Sequence, residues 1–339
     1  MRRPEPQAIL TPLTRTALFL VMTVEPGGED SVRALLSDLA GLRRSVGFRR
    51  PEEGLTCVAA IGSGLWDRLY DGARPRGLHP LPAIAGDRHA AVSTPGDMLF
   101  HLRADRLDMC FELGERITDA LAGRATAVDE VQGFRSFDDR DLLGFVDGTE
   151  NPDGNDAIEA VLVGEEDPAH AGGSYVVVQK YLHDLDSWEA LTVEHQELAV
   201  GRRKLNDIEL DDDEKPSNSH VALNTIVDDE GNERKIVRFN MPFGSVGQRE
   251  FGTYFIGYAR APDLIEQMLE NMFIGVPRGN HDRILDFSTA VTGTLFFAPD
   301  ARFLENAGQS TTTAPEDREP TTQDAGSDGS LQLGALRSD

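Results

Sequence analysis

Two short stretches concentrate side chains able to move protons or hold charge. The first is Gly144-Phe-Val-Asp147-Gly148-Thr-Glu150-Asn151-Pro152. Two glycines around one aspartate, then a polar run to proline, describe a tight turn presenting a carboxylate on backbone that no side chain crowds. As a turn-former, Asp147 accepts hydrogen bonds from backbone N–H groups. As a functional group, it offers acid–base chemistry to a flat ligand that the glycines let approach. Leu142, Leu143, Phe145 and Val146 beside it would strip water from the carboxyl and raise its pKa, as a proton shuttle needs.

The second stretch begins at His220 in KPSNSHVALN, where Ser217, Asn218 or Ser219 can cap a short helix. The strand KIVRFN follows, and the period-two rule sets Arg238 and Asn240 on one face with Val237 and Phe239 on the other. Such alternation is also what the wet side of any sheet looks like. The other histidines are His79, His89, His101, His170, His183, His195 and His281. None pairs with HExxH or zinc-finger spacing, so a metal held by one histidine together with non-protein atoms is the simplest arrangement, and haem is carried that way.

Hydrophobic periodicity supplies the elements that position these groups. Strands are expected at Ala17–Val24, Leu55–Ile61, Met98–Leu102 and Ala127–Phe134. A helix over Ser31–Val46, capped by Asp30 or Ser31, and another over Asp105–Leu121, capped by Asp105, separate them. The order β-α-β-β-α-β is that of an antiparallel four-stranded sheet with helices on one face. After Pro152 the order returns: a strand at Ser174–Leu182, a helix at Ser187–Val200, strands at Ile236–Phe239 and Phe251–Tyr258, a helix at Pro262–Phe273 and a strand at Gly293–Ala298. A polar insertion, Arg202–Asn218, interrupts this second set.

Composition narrows the class. Of 339 residues, 33 are basic and 58 acidic, and the net charge of −25 disfavours nucleic acid and anionic membrane as partners. No run approaches the ~20 apolar residues of a membrane-spanning helix. Arg2-Arg3 is followed by Pro4, Glu5, Pro6 and Gln7 rather than an apolar export segment, so a cytoplasmic location is expected. Cys57 and Cys110 are expected as buried thiols rather than a disulfide.

Taken together, GFVDGTENP, His220, Arg238-Phe-Asn240, FGTYFIGYAR and DRILDFSTAVTGTLFF resemble the dye-decolourising peroxidases, over roughly residues 10–300. The compact halves resemble the bacterial branch called type B. The resemblance implies an α+β architecture, a duplicated ferredoxin-like fold of two antiparallel four-stranded sheets with helices packed on them. It divides the chain into residues 1–150 and a haem-binding 151–305, in a homo-oligomer between dimer and hexamer. Haem b would be ligated through iron by His220, with Asp147, Gly148, Arg238 and Asn240 on the opposite side. A carboxylate behind His220 is implied, either Asp282 or Asp286, and spacing favours Asp282. The implied reaction reduces H2O2 and oxidises dyes, phenolics or other small one-electron donors through a ferryl intermediate. A haem-handling, deferrochelatase-like protein with incidental peroxidase activity is the alternative.

From Asn306 to Ser330 the chain has no Val, Ile, Leu, Met or aromatic residue, and residues 306–328 are expected to be a disordered linker. Residues 329–339 then recover Leu331, Leu333 and Leu336. A frayed terminus and a tethered docking peptide both fit this pattern. The segment resembles the cargo-loading peptide of encapsulin-associated peroxidases, which implies docking inside an encapsulin nanocompartment through those leucines.

Overall fold

The computed structural model describes residues 4–148 and 150–308. The N-terminal half contains β1 (Thr16–Val24), α1 (Glu29–Gly47), β2 (Thr56–Gly62), β3 (Met98–Ala104), α2 (Leu107–Ala120) and β4 (Ala125–Phe134). The C-terminal half contains β5 (Ser174–His183), α3 (Val193–Val200), α4 (His220–Asn224), β6 (Val237–Arg238) and β7 (Met241–Ser245). It ends with β8 (Glu250–Ala259), α5 (Asp263–Phe273) and β9 (Thr294–Ala298).

The strand order is β6-β8-β5-β9-β2-β3-β1-β4, with β7 and the short strand Ser288–Ala290 paired onto β8 and β5. Each half therefore orders its four principal strands second, third, first, fourth, the order of the split βαβ pattern. The two expected four-stranded antiparallel sheets are present, but as halves of one continuous sheet. They join where β9 pairs antiparallel with β2 through Phe296–Gly62 and Phe297–Ile61. Pairing the fourth strand of one half with the second of the other removes two exposed edges that would otherwise present unpaired N–H and C=O groups.

A side-chain clamp completes this narrow junction. Gln7 donates from Nε2 to the carbonyls of Ala59 and Pro299, both at 2.8 Å. Its Oε1 accepts the Ala59 N–H at 2.9 Å. Gly133 in β4 lies against Met241 in β7, where an added Cβ would stand 2.6 Å from the Met241 Cβ. That close approach brings the two ends of the sheet together.

Both sheet faces are consequently covered, which explains why β1 reads as a continuous apolar run rather than an alternating one. Leu18, Leu20 and Met22 pack under the helices, while Ala17, Phe19 and Val21 enter a second core with Val176, Tyr254, Ile256 and Phe296. In that second core Phe19 stacks on His101 and Tyr254 at 4.9 and 4.3 Å. His101 hydrogen-bonds through Nδ1 to the Tyr258 hydroxyl at 2.9 Å, and burial holds its pKa well below the usual histidine range. Cys57 and Cys110 are free and buried, and loss of water pushes both thiols up to about 12.

Several local expectations are corrected. α1 starts from Gly28, without a side-chain cap, so Asp30 and Ser31 lie inside the helix. α2 starts from Arg106, and Asp105 instead accepts the Arg15 N–H at 3.1 Å. The helix expected over Ser187–Val200 is two: Leu185–Glu189, capped by Asp184, and α3, capped by Thr192. Two competent caps within nine residues start two helices. From residue 309 onward, the linker expected at 306–328 and the docking peptide expected at 329–339 lie outside the described residues. Among the described residues no helix is long and apolar enough to cross a membrane.

Candidate active site

On its helix-covered face the C-terminal half surrounds a cavity that is partly open to solvent. His220, Asp147, Gly148, Arg238 and Asn240 all line it. His220 opens α4, whose first turn is closed by Ser219 Oγ accepting the Ala222 N–H at 3.3 Å. At the other end Asn224 donates from Nδ2 to the His220 carbonyl at 2.7 Å. The helix is anchored to α5 by Asn271 Nδ2 donating to the Leu223 carbonyl at 2.9 Å.

Behind the ring, His220 Nδ1 stands 2.7 Å from Asp282 Oδ2. Asp282 is fully buried, and its other oxygen accepts the Ile284 N–H at 3.0 Å, capping the turn Arg283–Asp286. A carboxylate so placed accepts the Nδ1–H, and in the neutral ring the lone pair is then on Nε2. Among the described residues Nε2 has no hydrogen-bond partner. Asp286 lies elsewhere, beside His89 and His281 at 3.0 and 3.1 Å. His195 is on the exposed side of α3, next to Thr192.

The opposite wall is built from the glycine turn and the β6–β7 segment. Gly148 has φ +83°, a left-handed conformation that carries the backbone away after Asp147 without a Cβ penalty. Asn151 acts as a ladder rung between loop and strand. Its Nδ2 donates to the Arg238 carbonyl at 2.7 Å, and its Oδ1 accepts the Arg238 N–H at 2.9 Å. Asn240 donates from Nδ2 to Asp147 Oδ1 at 3.3 Å and accepts the Ile256 N–H at 3.2 Å. Phe239 and Val237 are buried in the second core, so the period-two pattern places Arg238 and Asn240 toward the cavity.

Two buried polar atoms on this lining, Arg238 Nε and Gln179 Nε2, have no partner among the described residues. A buried donor without an acceptor costs about 1–3 kcal/mol, so both atoms point to a polar occupant. An imidazole backed by a carboxylate, a guanidinium whose Nε has no partner among the described residues and an apolar lining of Ile265, Met268, Leu269 and Met272 fit a haem.

Sequence reasoning missed several lining groups. Asp141 accepts the Phe145 N–H at 2.9 Å. Loss of hydration, together with the nearby Asp147 charge, raises its carboxyl to about 7 against that hydrogen bond. Gln179, Tyr181 and His183 share one face of β5, with the Tyr181 hydroxyl donating to Gln179 Oε1 at 2.8 Å. His183 sits between Ser288 Oγ and Thr253 Oγ1 at 2.8 and 2.9 Å, and burial lowers its pKa to about 4. The available signal was the alternation that begins at Gln179, after the uninterrupted Val176–Val178 run.

A double ferredoxin-like sheet with a histidine–carboxylate pair facing an aspartate and an arginine defines a peroxidase-type site on an α+β scaffold. The chain belongs to the Dyp-type peroxidases: the family's N-terminal model matches residues 6–135 and its C-terminal model residues 138–303. It is 56% identical over 337 residues to a dye-decolorizing peroxidase of Mycolicibacterium paratuberculosis, covering 98% of this chain and 93% of the relative. The encapsulated DyP-type peroxidase of Mycobacterium smegmatis superposes with a TM-score of 0.88 at 60% identity, covering 90% of this chain and 98% of that one. A variant of DypB from Rhodococcus jostii RHA1 in complex with heme gives 0.87 at 54% identity, covering 90% and 99%.

Proposed function

We propose that this peroxidase binds haem b in the cavity of its C-terminal half, reduces H2O2 there, and oxidises dyes, phenolics or other small one-electron donors. The observation that carries the proposal is His220, paired at Nδ1 with buried Asp282 and lining one cavity together with Asp147, Arg238 and Asn240. The haem supplies the redox-active iron. His220 Nε2 would hold that iron, with Asp282 fixing the ring's orientation and adding anionic character to the imidazole.

Splitting peroxide heterolytically requires a proton to leave one oxygen and reach the other while negative charge grows on the departing one. Asp147 takes and returns that proton through its carboxylate. Arg238 stabilises the developing charge and never titrates in doing so. Asn240, hydrogen-bonded to Asp147, holds the carboxylate in position and offers a donor to water or peroxide. Gly148 keeps the turn thin enough for a flat ligand to lie against it. Donors too large for the cavity would be oxidised at a distance.

The M. smegmatis relative is an encapsulated peroxidase. By that likeness, and by the tail's own pattern, Leu331, Leu333 and Leu336 would fill apolar pockets on the inner wall of an encapsulin shell, with residues 306–328 as the tether. Several tails on one homo-oligomer would multiply the avidity. The setting is then the cytoplasm, inside that compartment.

The test is an absorption spectrum of the native protein before and after one equivalent of peroxide. A Soret band is expected, shifted by peroxide and lost or displaced in His220→Ala. Release of free protoporphyrin without donor oxidation would replace this reading with the deferrochelatase-like one. For the tail, deletion of residues 329–339 should abolish co-purification with co-expressed encapsulin and leave the spectrum unchanged.

A further inference from the structure

We propose that His89, His281 and Asp286 form a binding site for one zinc-like divalent cation, separate from the haem cavity. None of the three residues lines that cavity. His89 sits in the turn between the paired segments Ile84–Ala85 and Ala90–Ala91 of the N-terminal half. His281 precedes the turn Arg283–Asp286 of the C-terminal half, and Asp286 is its last residue. Residues almost 200 positions apart thus converge, with one ligand atom from each within 4.8 Å of the other two.

The spacing matches a metal site more closely than convergence alone requires. The Nε2 atoms of His89 and His281 stand 3.0 and 3.1 Å from the same oxygen, Asp286 Oδ1. In a tetrahedral zinc site with bonds of about 2.0–2.2 Å, neighbouring ligand atoms are about 3.3–3.6 Å apart. Two of the three pairs of ligand atoms are therefore within a few tenths of an ångström of that spacing, and the two imidazole nitrogens lie within 4.8 Å of each other. The His89 and His281 rings are tilted by 60° at 4.9 Å between centroids, so neither blocks the other's nitrogen. Side-chain exposures of 25%, 15% and 37% leave a fourth direction open to water. Two imidazoles and one carboxylate favour Zn2+ and similar borderline cations over Mg2+ or Ca2+, which take oxygen ligands. Of the cations on these segments, Arg278 is paired with Asp87 at 3.0 Å, and Arg88 and Arg283 are the others.

A cation here would tie the 84–91 hairpin to the turn that Asp282 caps. Asp282 is the group that holds His220, so the site would brace the acid behind the proposed haem ligand. That consequence rests on the proposed function, whereas binding of the cation does not.

The experiment is isothermal titration of the untagged full chain, after treatment with chelator, using ZnCl2 and repeated with Co2+ while the visible spectrum is recorded. One Zn2+ per chain is expected, with affinity reduced tenfold or more in both His89→Ala and His281→Ala. The Co2+ bands should disappear in the same variants. Both histidines are partly exposed, and unfolding temperatures without metal verify that each variant folds; should one fail, the other decides. Absence of saturable binding, or a reduction below tenfold in the folded variants, overturns the proposal.

Discussion

In the N-terminal half, Leu35, Leu36 and Leu39 of α1 and Leu113 and Ile117 of α2 close directly onto Leu18, Leu20, Ala59 and Phe100 of the sheet. In the C-terminal half the corresponding sheet face carries Gln179, Tyr181, His183 and Thr253 and opens into the cavity. Strand order is the same in both. What differs is the first crossover: the 19-residue amphipathic α1 follows β1 almost at once, whereas the chain from β5 to β6 breaks into short helices and a polar insertion. The one-and-a-half turns of α4 leave space where a long helix would have filled it. Equal topology therefore yields a sealed core in one half and a binding chamber in the other, and the crossover decides which.

The strongest test of this contrast is stability. Leu113 is fully buried, and Leu113→Ala should cost about 2–5 kcal/mol, read as a lowered denaturant midpoint with m unchanged. Met268→Ala on the cavity floor should cost less than about 1.5 kcal/mol in haem-free protein, because it enlarges a space already present. Equal losses would mean that the cavity is not a pre-formed gap in the packing.

Chemistry should show the reverse asymmetry. Arg238→Leu should slow the stopped-flow reaction with peroxide by about 10²–10³-fold, the usual cost of removing one charge-stabilising donor. Its unfolding midpoint should barely move, since the guanidinium Nε has no partner among the described residues to lose. Leu113→Ala, in contrast, should leave that rate intact wherever the protein is folded.

How the halves are joined is the next target. Gln7→Ala removes three hydrogen bonds and leaves the Ala59 N–H unsatisfied at the junction. A loss of about 1–3 kcal/mol is expected by denaturation. Unfolding followed by both Trp66 and Trp188 should remain a single transition in the parent chain and separate into two in the variant.

The smallest effect concerns pH. The Asp141 pKa rises on folding to about 7, so the folded state binds that proton more tightly than the unfolded one. Its penalty on stability is absent below about pH 4, grows as pH rises through the interval and is complete above pH 7. Asp141→Asn keeps the oxygen that accepts the Phe145 N–H. Thermal melts from pH 4 to 8 should show the variant gaining on the parent as pH rises, with no gain at pH 4.

The elements were legible wherever one periodicity ran uninterrupted. β1, α1, β3, α2, β8 and α5 fall within about two residues of their expected limits, because each buries a full face. Ser187–Val200 was misread as one helix because periodicity ignores a second cap at Thr192. Within the site, the turn around Asp147, the cap before His220 and the Arg238–Asn240 face were visible as motifs. Asp141, Gln179 and His183 were not, since their roles depend on what the missing long helix leaves uncovered. No local pattern encodes that. The pairing of Asp286 with His89 was equally invisible, because its partner lies in the other half of the chain.

Gln7 also orders events in time. One of its acceptors, Pro299, lies 292 positions further along the chain. The N-terminal half can complete its own four-stranded ladder once Phe134 is available, but its β2 edge then waits, unpaired, for the most distant strand of the chain. Nascent chains halted before residue 294 should therefore carry an open edge that invites pairing with other chains, and the five residues Thr294–Ala298 close it.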